Sequence, residues 1–460
     1  MIVALGWCAM RFIGLEKVPY GLSTDETLAG LHVICLAQTG ASADGHPWPL
    51  FATGIAGGMY TPAYLYTLLA WTRLFGTSIA AIRGFSAAVS IGAVVGLALL
   101  ARRVGNGRAA RLAVAAAALS PWSFQWSRLA VDDPMAPALL VWAAYLFLRS
   151  PRIRWAVGGG IVMALAAYTY PPVRVQAALV TLLLLAVERE RLRPARVAAF
   201  LGSMTVVAIP LLIRLFDSDF MGRANALSIL SADYVRQNRG HLTPAAFVVK
   251  QLLDNLFAHL RPSYLFFTGD ANLRHSTQIM GELGWLDILA LGCFSVAIAV
   301  VIWRAFHPGQ AREQPPSRLW LVAGCAALAF GFGVLPAALC WEGLPHALRS
   351  IGAWPAVALF TGATLAAVWS RSPLVPALAL VLAVAQTVHF VPYYFQTYPK
   401  DSFAAWDGPL RQAADRRDLA EFARVARPYS PLEFRYYLIR DFGDTCTSSL
   451  TRAAQIVNGR

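Results

Sequence analysis

The stretch "YTPAYLYTLLAWTRLFG" at positions 60–76 is apolar enough to be counted as a membrane span, and the arrangement of everything after it depends on that choice. A helix needs about 20 predominantly apolar residues to cross the hydrocarbon core. Runs approaching that length recur along the chain, about eleven of them, at 2–18, 83–101, 112–128, 134–149, 155–170, 173–188, 197–216, 284–303, 319–340, 351–369 and 374–392. The short basic stretches between them are "ARRVGNGRAAR" (101–111), "RSPRIR" (149–154), "ERERLRPAR" (188–196), "RAFHPGQAREQPPSR" (304–318) and "SRS" (370–372). Cytoplasmic loops carry the excess of Lys and Arg. All five stretches fall on one side only if 60–76 does not cross. That segment is therefore expected along the outer interface, with Tyr60, Tyr64, Tyr66 and Trp71 near the headgroups.

Composition agrees with an all-α, polytopic membrane protein. Of 460 residues 57% are hydrophobic and 14% charged, with mean hydropathy +0.52; a soluble domain carries about 25% charged residues. Continuous apolar runs exclude an alternating barrel pattern. The formal charge is +14, but the basic residues sit in short loops and not along a stripe, which argues against nucleic acid. Only Lys17, Lys250 and Lys400 are lysines, so arginine supplies nearly all of the positive charge. The run 2–18 has neither a charged start nor a small-residue cleavage site and is read as an anchor, not a signal peptide. The six cysteines show no metal-type spacing. The expected organisation is a transmembrane domain over 1–392, with a first outer loop at 19–82 and a long outer loop at 217–283. A small extracytoplasmic tail, 393–460, follows, with an amphipathic helix near 409–426, expected as a cap on the outer loops.

With this sidedness, "GLSTDETLAG" (21–30), "WSRLAVDDPM" (126–135), "YTYPPVR" (168–174), the long loop and "WEGLPHALRS" (341–350) share the outer face. Acids beside a bilayer are costly and seldom idle. Helix capping explains each acidic motif singly: Ser23 or Thr24 can cap a helix whose first turn holds Asp25 and Glu26, and Asp133 stands before Pro134 at a helix start. Capping does not explain why two such starts face the same side.

The order "STDET", "GGMYTPAYLY", "SRLAVDDPM", "AAYTYPPVR", "RPSYLFFTGDANLRHS…GELGW" resembles that of polyprenyl-phosphate-dependent glycosyltransferases of the GT-C fold. The similarity is to the protein mannosyltransferase and aminoarabinose transferase type (glycosyltransferase family 39) and runs to about residue 392. It implies transfer of a sugar from a polyprenyl-phosphate donor to a glycan, lipid or protein acceptor hydroxyl, at the extracytoplasmic face of a bacterial inner membrane. In the family the first-loop aspartate sits at the transfer centre, here Asp25, and the second-loop aspartate close by, here Asp133. Some relatives keep a lysine near the interfacial aromatic segment; "AGGMYTP" offers none.

Such chemistry needs a carboxylate that takes the acceptor proton, expected of Asp25, with Glu26 or Asp133 orienting substrate. Asp132, Tyr60 and Tyr64 are expected to line the substrate site. Departing phosphate calls for a cation, and a guanidinium offers two parallel donors. The candidates are Arg274 and Arg349, whereas Arg128 and Arg174 are expected to anchor helix ends at the headgroups. His275 and His346 stand close by. Either could join Asp25, Glu26 or Asp270 around a divalent metal, but no compact ligand motif is present, so metal dependence is not expected to be obligate. The reaction would be a single displacement with inversion. The rival classes are a secondary transporter or lipid flippase, marked by midplane charges and paired halves, and a non-catalytic assembly subunit.

Overall fold

A computed structural model describes all residues except 55–57, 192, 308–316, 370–371 and 460, so the basic stretches 304–318 and 370–372 lie partly outside the described residues. The chain is helical. In order come α1 (Ile2–Met10), α2 (Thr24–Thr39), a two-residue antiparallel pair β1 (Ala52–Thr53) and β2 (Met59–Tyr60), α3 (Pro62–Phe75), α4 (Ile79–Val104), α5 (Gly107–Leu119) and α6 (Pro121–Trp126). Then follow α7 (Met135–Arg149), α8 (Ile153–Ala167), α9 (Pro171–Val187), α10 (Pro194–Arg214), α11 (Ser218–Leu227), α12 (Ala232–Asn238) and α13 (Pro244–His259). Next are α14 (Trp285–Phe306), α15 (Arg318–Ala338), α16 (Trp354–Val368), α17 (Leu374–Pro392) and α18 (Tyr398–Asp401). The tail is α19 (Gly408–Asp415), α20 (Leu419–Ala426), α21 (Pro431–Phe442) and α22 (Cys446–Val457).

Among the described residues six helical stretches are long and apolar enough to cross a membrane: Ile79–Val104, Pro194–Arg214, Trp285–Phe306, Arg318–Ala338, Ile351–Val368 and Leu374–Asp401. Three shorter apolar helices, α7, α8 and α9, pack among them. Gly160 lets α8 lie against α10, since a Cβ there would sit 2.2 Å from the Phe200 carbonyl oxygen. This is the small-residue contact by which apolar helices approach each other in lipid.

Two expected spans are corrected. The run 2–18 is not one helix: α1 ends at Met10, and at 1.5 Å per residue its nine residues rise only about 14 Å, well short of a crossing. The chain beyond it is irregular, with Arg11, Leu15 and Val18 buried and Phe12 and Ile13 exposed, and arginines satisfy its carbonyls. Arg128 donates to the carbonyls of Met10 (2.7 Å), Arg11 (3.2 Å), Ile13 (2.7 Å) and Val18 (3.0 Å). Arg83 does the same for Leu15 (2.9 Å), Pro19 (2.7 Å) and Gly21 (2.6 Å). Arg128 is thus a fully buried clamp and no headgroup anchor. The run 112–128 also breaks, because Ser120 ends α5 and caps α6 ahead of Pro121.

The tail packs on the first outer loop. α2 and α21 approach so closely that a Cβ on Gly30 would lie 2.6 Å from the Tyr436 ring. Arg435 donates to the carbonyls of Ala43 (3.0 Å) and Cys446 (2.9 Å). Cys35 and Cys446 form a disulfide across a separation of 411 residues, a pairing that spacing alone did not suggest. The expected amphipathic helix near 409–426 is two helices: Arg417 adopts a left-handed conformation (φ 55°), and Asp418 then caps α20 by accepting from Ala420 N and Glu421 N.

Candidate active site

The site begins at the first turn of α2. Ser23 Oγ accepts from Glu26 N (3.3 Å) and Glu26 Oε2 accepts from Ser23 N (3.0 Å), a capping box that sets where the helix starts. Glu26 is fully buried. Its Oε1 also accepts from Arg83 Nε (2.7 Å) and Ala130 N (3.0 Å), and its Oε2 from Arg83 Nη2 (3.0 Å). With four donors on two oxygens it has no lone pair left for a substrate. The expectation that Glu26 orients substrate is corrected: it positions the site from within. The bond to Ala130 N ties the segment leading to Asp132 and Asp133 to the start of α2.

Asp25, its neighbour, is exposed at the helix end, yet protein surrounds the recess closely enough that lost hydration raises its carboxyl pKa. Arg223, Arg274 and His275 oppose that rise, and Glu26 adds to it. Asp132 is half-buried and pushed up to about 7, first by burial and then by the charge of Asp25. Asp133 is buried and raised further by burial, then by Asp132 and Asp25; its Oδ1 has no hydrogen-bond partner among the described residues. Three carboxyl groups from two distant segments therefore lie within electrostatic range of one another. Such raised values mark candidate functional groups.

Aromatic residues wall this cluster. Tyr60 donates to the Asp25 carbonyl oxygen (2.7 Å). Tyr64 is buried, with its phenol raised by burial and then by Asp132 and Glu26. Neither is exposed as the expected place near the headgroups requires: Tyr60, at the end of β2, is buried, and α3 turns Tyr64 inward against Phe85 of α4 with centroids 5.7 Å apart.

The long loop supplies another wall. His275 Nδ1 donates to Asp270 Oδ2 (2.8 Å), which also accepts from Ala347 N (2.9 Å), while Glu282 of "GELGW" accepts from Asp270 N (3.0 Å). His346 stacks near His275, with centroids 4.7 Å apart, and accepts at Nδ1 from Arg349 N (3.3 Å). Burial, with His275 and Arg349 beside it, holds His346 well below the usual histidine range. Asp270, His275 and His346 each offer a ligand atom, all within 4.8 Å of one another, so a divalent ion could be held there. Tautomer limits the fit. His346 Nδ1, as an acceptor, carries no proton, which leaves the neutral ring's hydrogen on Nε2, where a ligand lone pair would be needed.

The two expected phosphate clamps are largely engaged. Arg274 binds the tail through the Ala405 carbonyl oxygen and Asp407 Oδ2 (3.1 Å). Arg349 binds Glu342 at its carbonyl (2.5 Å) and carboxylate (3.1 Å). Arg223, on exposed α11, was not singled out in the sequence, yet among the charges acting on Asp25 it comes first. Nothing local in "DFMGRAN" marks it; only the fold brings α11 over the recess. Trp126 was also missed: it is buried 5.2 Å from His275 (ring centroids), and its Nε1 has no hydrogen-bond partner among the described residues.

Residues 60–214, about a third of the chain, match the family described as dolichyl-phosphate-mannose-protein mannosyltransferase, which supports the resemblance read from the motifs. No curated protein matches the chain. Among solved structures, ArnT from Cupriavidus metallidurans bound to undecaprenyl phosphate is 15% identical with TM-score 0.49, over 100% of this chain and 75% of that one. The Archaeoglobus fulgidus oligosaccharyltransferase in complex with Zn and sulfate is 16% identical with TM-score 0.46, over 92% and 56%. AglB from the same organism, in complex with an inhibitory peptide and a dolichol-phosphate, is 14% identical with TM-score 0.45, over 96% and 64%.

Proposed function

We propose that the chain is a membrane glycosyltransferase that moves a sugar from a polyprenyl-phosphate donor to an acceptor hydroxyl, at the extracytoplasmic face of a bacterial inner membrane. The observation that supports this reading is the surroundings of Asp25: one accessible carboxylate, two further carboxyl groups in range, and Arg223 and Arg274 near enough for their charges to act on it. Asp25 accepts the acceptor's proton as the oxygen attacks the anomeric carbon, and its charge stabilises the oxocarbenium character of the ring. Attack opposite the departing phosphate inverts the anomeric centre. Asp132 and Asp133, which favour their protonated forms, donate hydrogen bonds to sugar hydroxyls. Arg223 takes the phosphate charge, with Arg274 behind it. No step runs through a metal, and the hydrogen bond that Arg349 N donates to His346 Nδ1 weighs against an ion at Asp270, His275 and His346. The disulfide between α2 and α22 supports an oxidising compartment on the same side as Asp25.

The test is incubation of purified protein with a panel of polyprenyl-phosphate sugars, reading release of free lipid phosphate. Asp25→Asn is expected to abolish release while leaving the fold intact. Undiminished release by that variant would remove Asp25 from the chemistry, and no release from any donor would remove the reaction class.

A further inference from the structure

A second cavity lies among the membrane helices, away from the carboxylates. Its volume is about 460 Å³, and aliphatic side chains of α4, α7, α9, α15 and α16, such as Leu97, Leu140, Leu184 and Leu321, form its wall. It has an inner end and a charged end. At the inner end is Gln176, whose Nε2 donates to the Gly352 carbonyl (2.8 Å), more than a helical turn from the Pro171 end of α9. At the charged end stand Arg103, Glu188, Glu190 and Arg318, which flank the basic loops. Val187 and Leu321, both exposed, mark the edge where the lining meets the molecular surface at that end.

We infer that this cavity holds one acyl chain of a glycerophospholipid from the basic-loop leaflet, with a headgroup that carries both a phosphate and a primary ammonium. The choice of occupant comes from the rim. Among the described residues the side chains of Arg103 and Glu190 have neither an ion-pair nor a hydrogen-bond partner, whereas Glu188 is paired with Arg196 (3.1 Å). Arg318 uses one donor on the Arg103 carbonyl (3.1 Å) and keeps the rest of its guanidinium for a phosphate. A guanidinium pair beside an unpaired carboxylate complements a zwitterion better than a simple anion. The volume lies in the range of ordinary ligand pockets, roughly 300–1,000 Å³. None of the residues around Asp25 is among those lining this chamber, so its occupant is not taken to be a polyprenyl tail descending from Asp25. This inference stands apart from the proposed reaction and needs only that the helices span a bilayer.

The test uses the full chain, delipidated in detergent and offered 1-palmitoyl-2-oleoyl phosphatidylethanolamine or phosphatidylglycerol, with retained adducts counted by native mass spectrometry. One phosphatidylethanolamine is expected to stay bound. Ala326→Phe, which fills the chamber, should cut retention by at least about tenfold, equivalent to some 1.4 kcal/mol. Glu190→Gln, at the exposed rim, should leave the fold untouched and abolish the preference for the ammonium lipid. Equal retention of both lipids, unchanged by Glu190→Gln, would identify surface lipid only and overturn the inference. So would displacement of the adduct by undecaprenyl phosphate.

Discussion

Glu26→Gln removes a single charge and almost no volume, yet it should be among the most damaging changes in the molecule. All four hydrogen bonds that reach Glu26 come from N–H groups: Ser23 N, Ala130 N, Arg83 Nε and Arg83 Nη2. A glutamine amide carries an acceptor at only one of its two terminal atoms. Whichever way it flips, an NH₂ faces two donors, and the Arg83 guanidinium, fully buried, loses its counter-charge. One lost bond to the guanidinium (about 1.5–3 kcal/mol) and one to a backbone N–H (about 0.5–1.5 kcal/mol) together cost about 2–4.5 kcal/mol, comparable to the roughly 3–5 kcal/mol for breaking a buried ion pair. Arg83 cannot relax toward another acceptor, because its five N–H groups already serve Glu26 and the carbonyls of Leu15, Pro19 and Gly21. Thermal unfolding in detergent should show a large drop in midpoint, and the surviving protein should transfer sugar poorly because the 130–133 segment is no longer tied to α2. Asp25→Asn, one residue away, should leave the midpoint nearly unchanged. A Glu26→Gln midpoint within a degree or two of the parent would refute the positioning role.

Other outcomes follow from the same geometry. Arg223→Ala is expected to raise KM for the lipid-phosphate donor about tenfold or more, as loss of a charge-assisted contact would; kinetics with an unchanged KM would place the phosphate elsewhere. Asp132, pushed up to about 7, keeps its proton in the fold where the unfolded chain has lost it. Its contribution therefore makes stability fall as pH rises from about 4 to 7, and Asp132→Asn should flatten that slope in pH-dependent unfolding. Reduction of Cys35–Cys446 should lower stability by about 2–4 kcal/mol, seen as a melting shift with dithiothreitol that is absent from a Cys35→Ser, Cys446→Ser protein. Dialysis against EDTA should leave lipid-phosphate release within about twofold, since no proposed step runs through a metal; abolition, restored by added zinc or manganese, would move the ion into the chemistry.

The long apolar helices were legible because length and hydropathy are local properties: α4, α10, α14 and α15 stand where continuous runs predict them. Errors arose where a tertiary partner decides. Arginine beside an apolar run reads as an interfacial anchor, and nothing in the flanking residues reveals that Arg128 turns inward to carbonyls of residues 10–18. The same clamp allows 2–18 to leave the helix after Met10, which hydropathy does not register. Asp25 and Glu26 look equivalent in sequence. Successive residues on a helix point in different directions, and the capping box turns Glu26 into the core and leaves Asp25 at the recess. Arg223 could not be found at all, because its relation to Asp25 exists only once α11 has been placed.

The bond between Cys35 and Cys446 ties maturation to the order of synthesis. The helices α4 to α17 all precede Cys446, so they can be made while the Cys35 sulfur on α2 still waits for a partner 411 residues downstream. A chain cut short before that point would keep those apolar helices and lack the covalent tie between α2 and α22. Oxidation thereby reports that synthesis has passed Cys446 and that its segment has reached the compartment that holds Cys35.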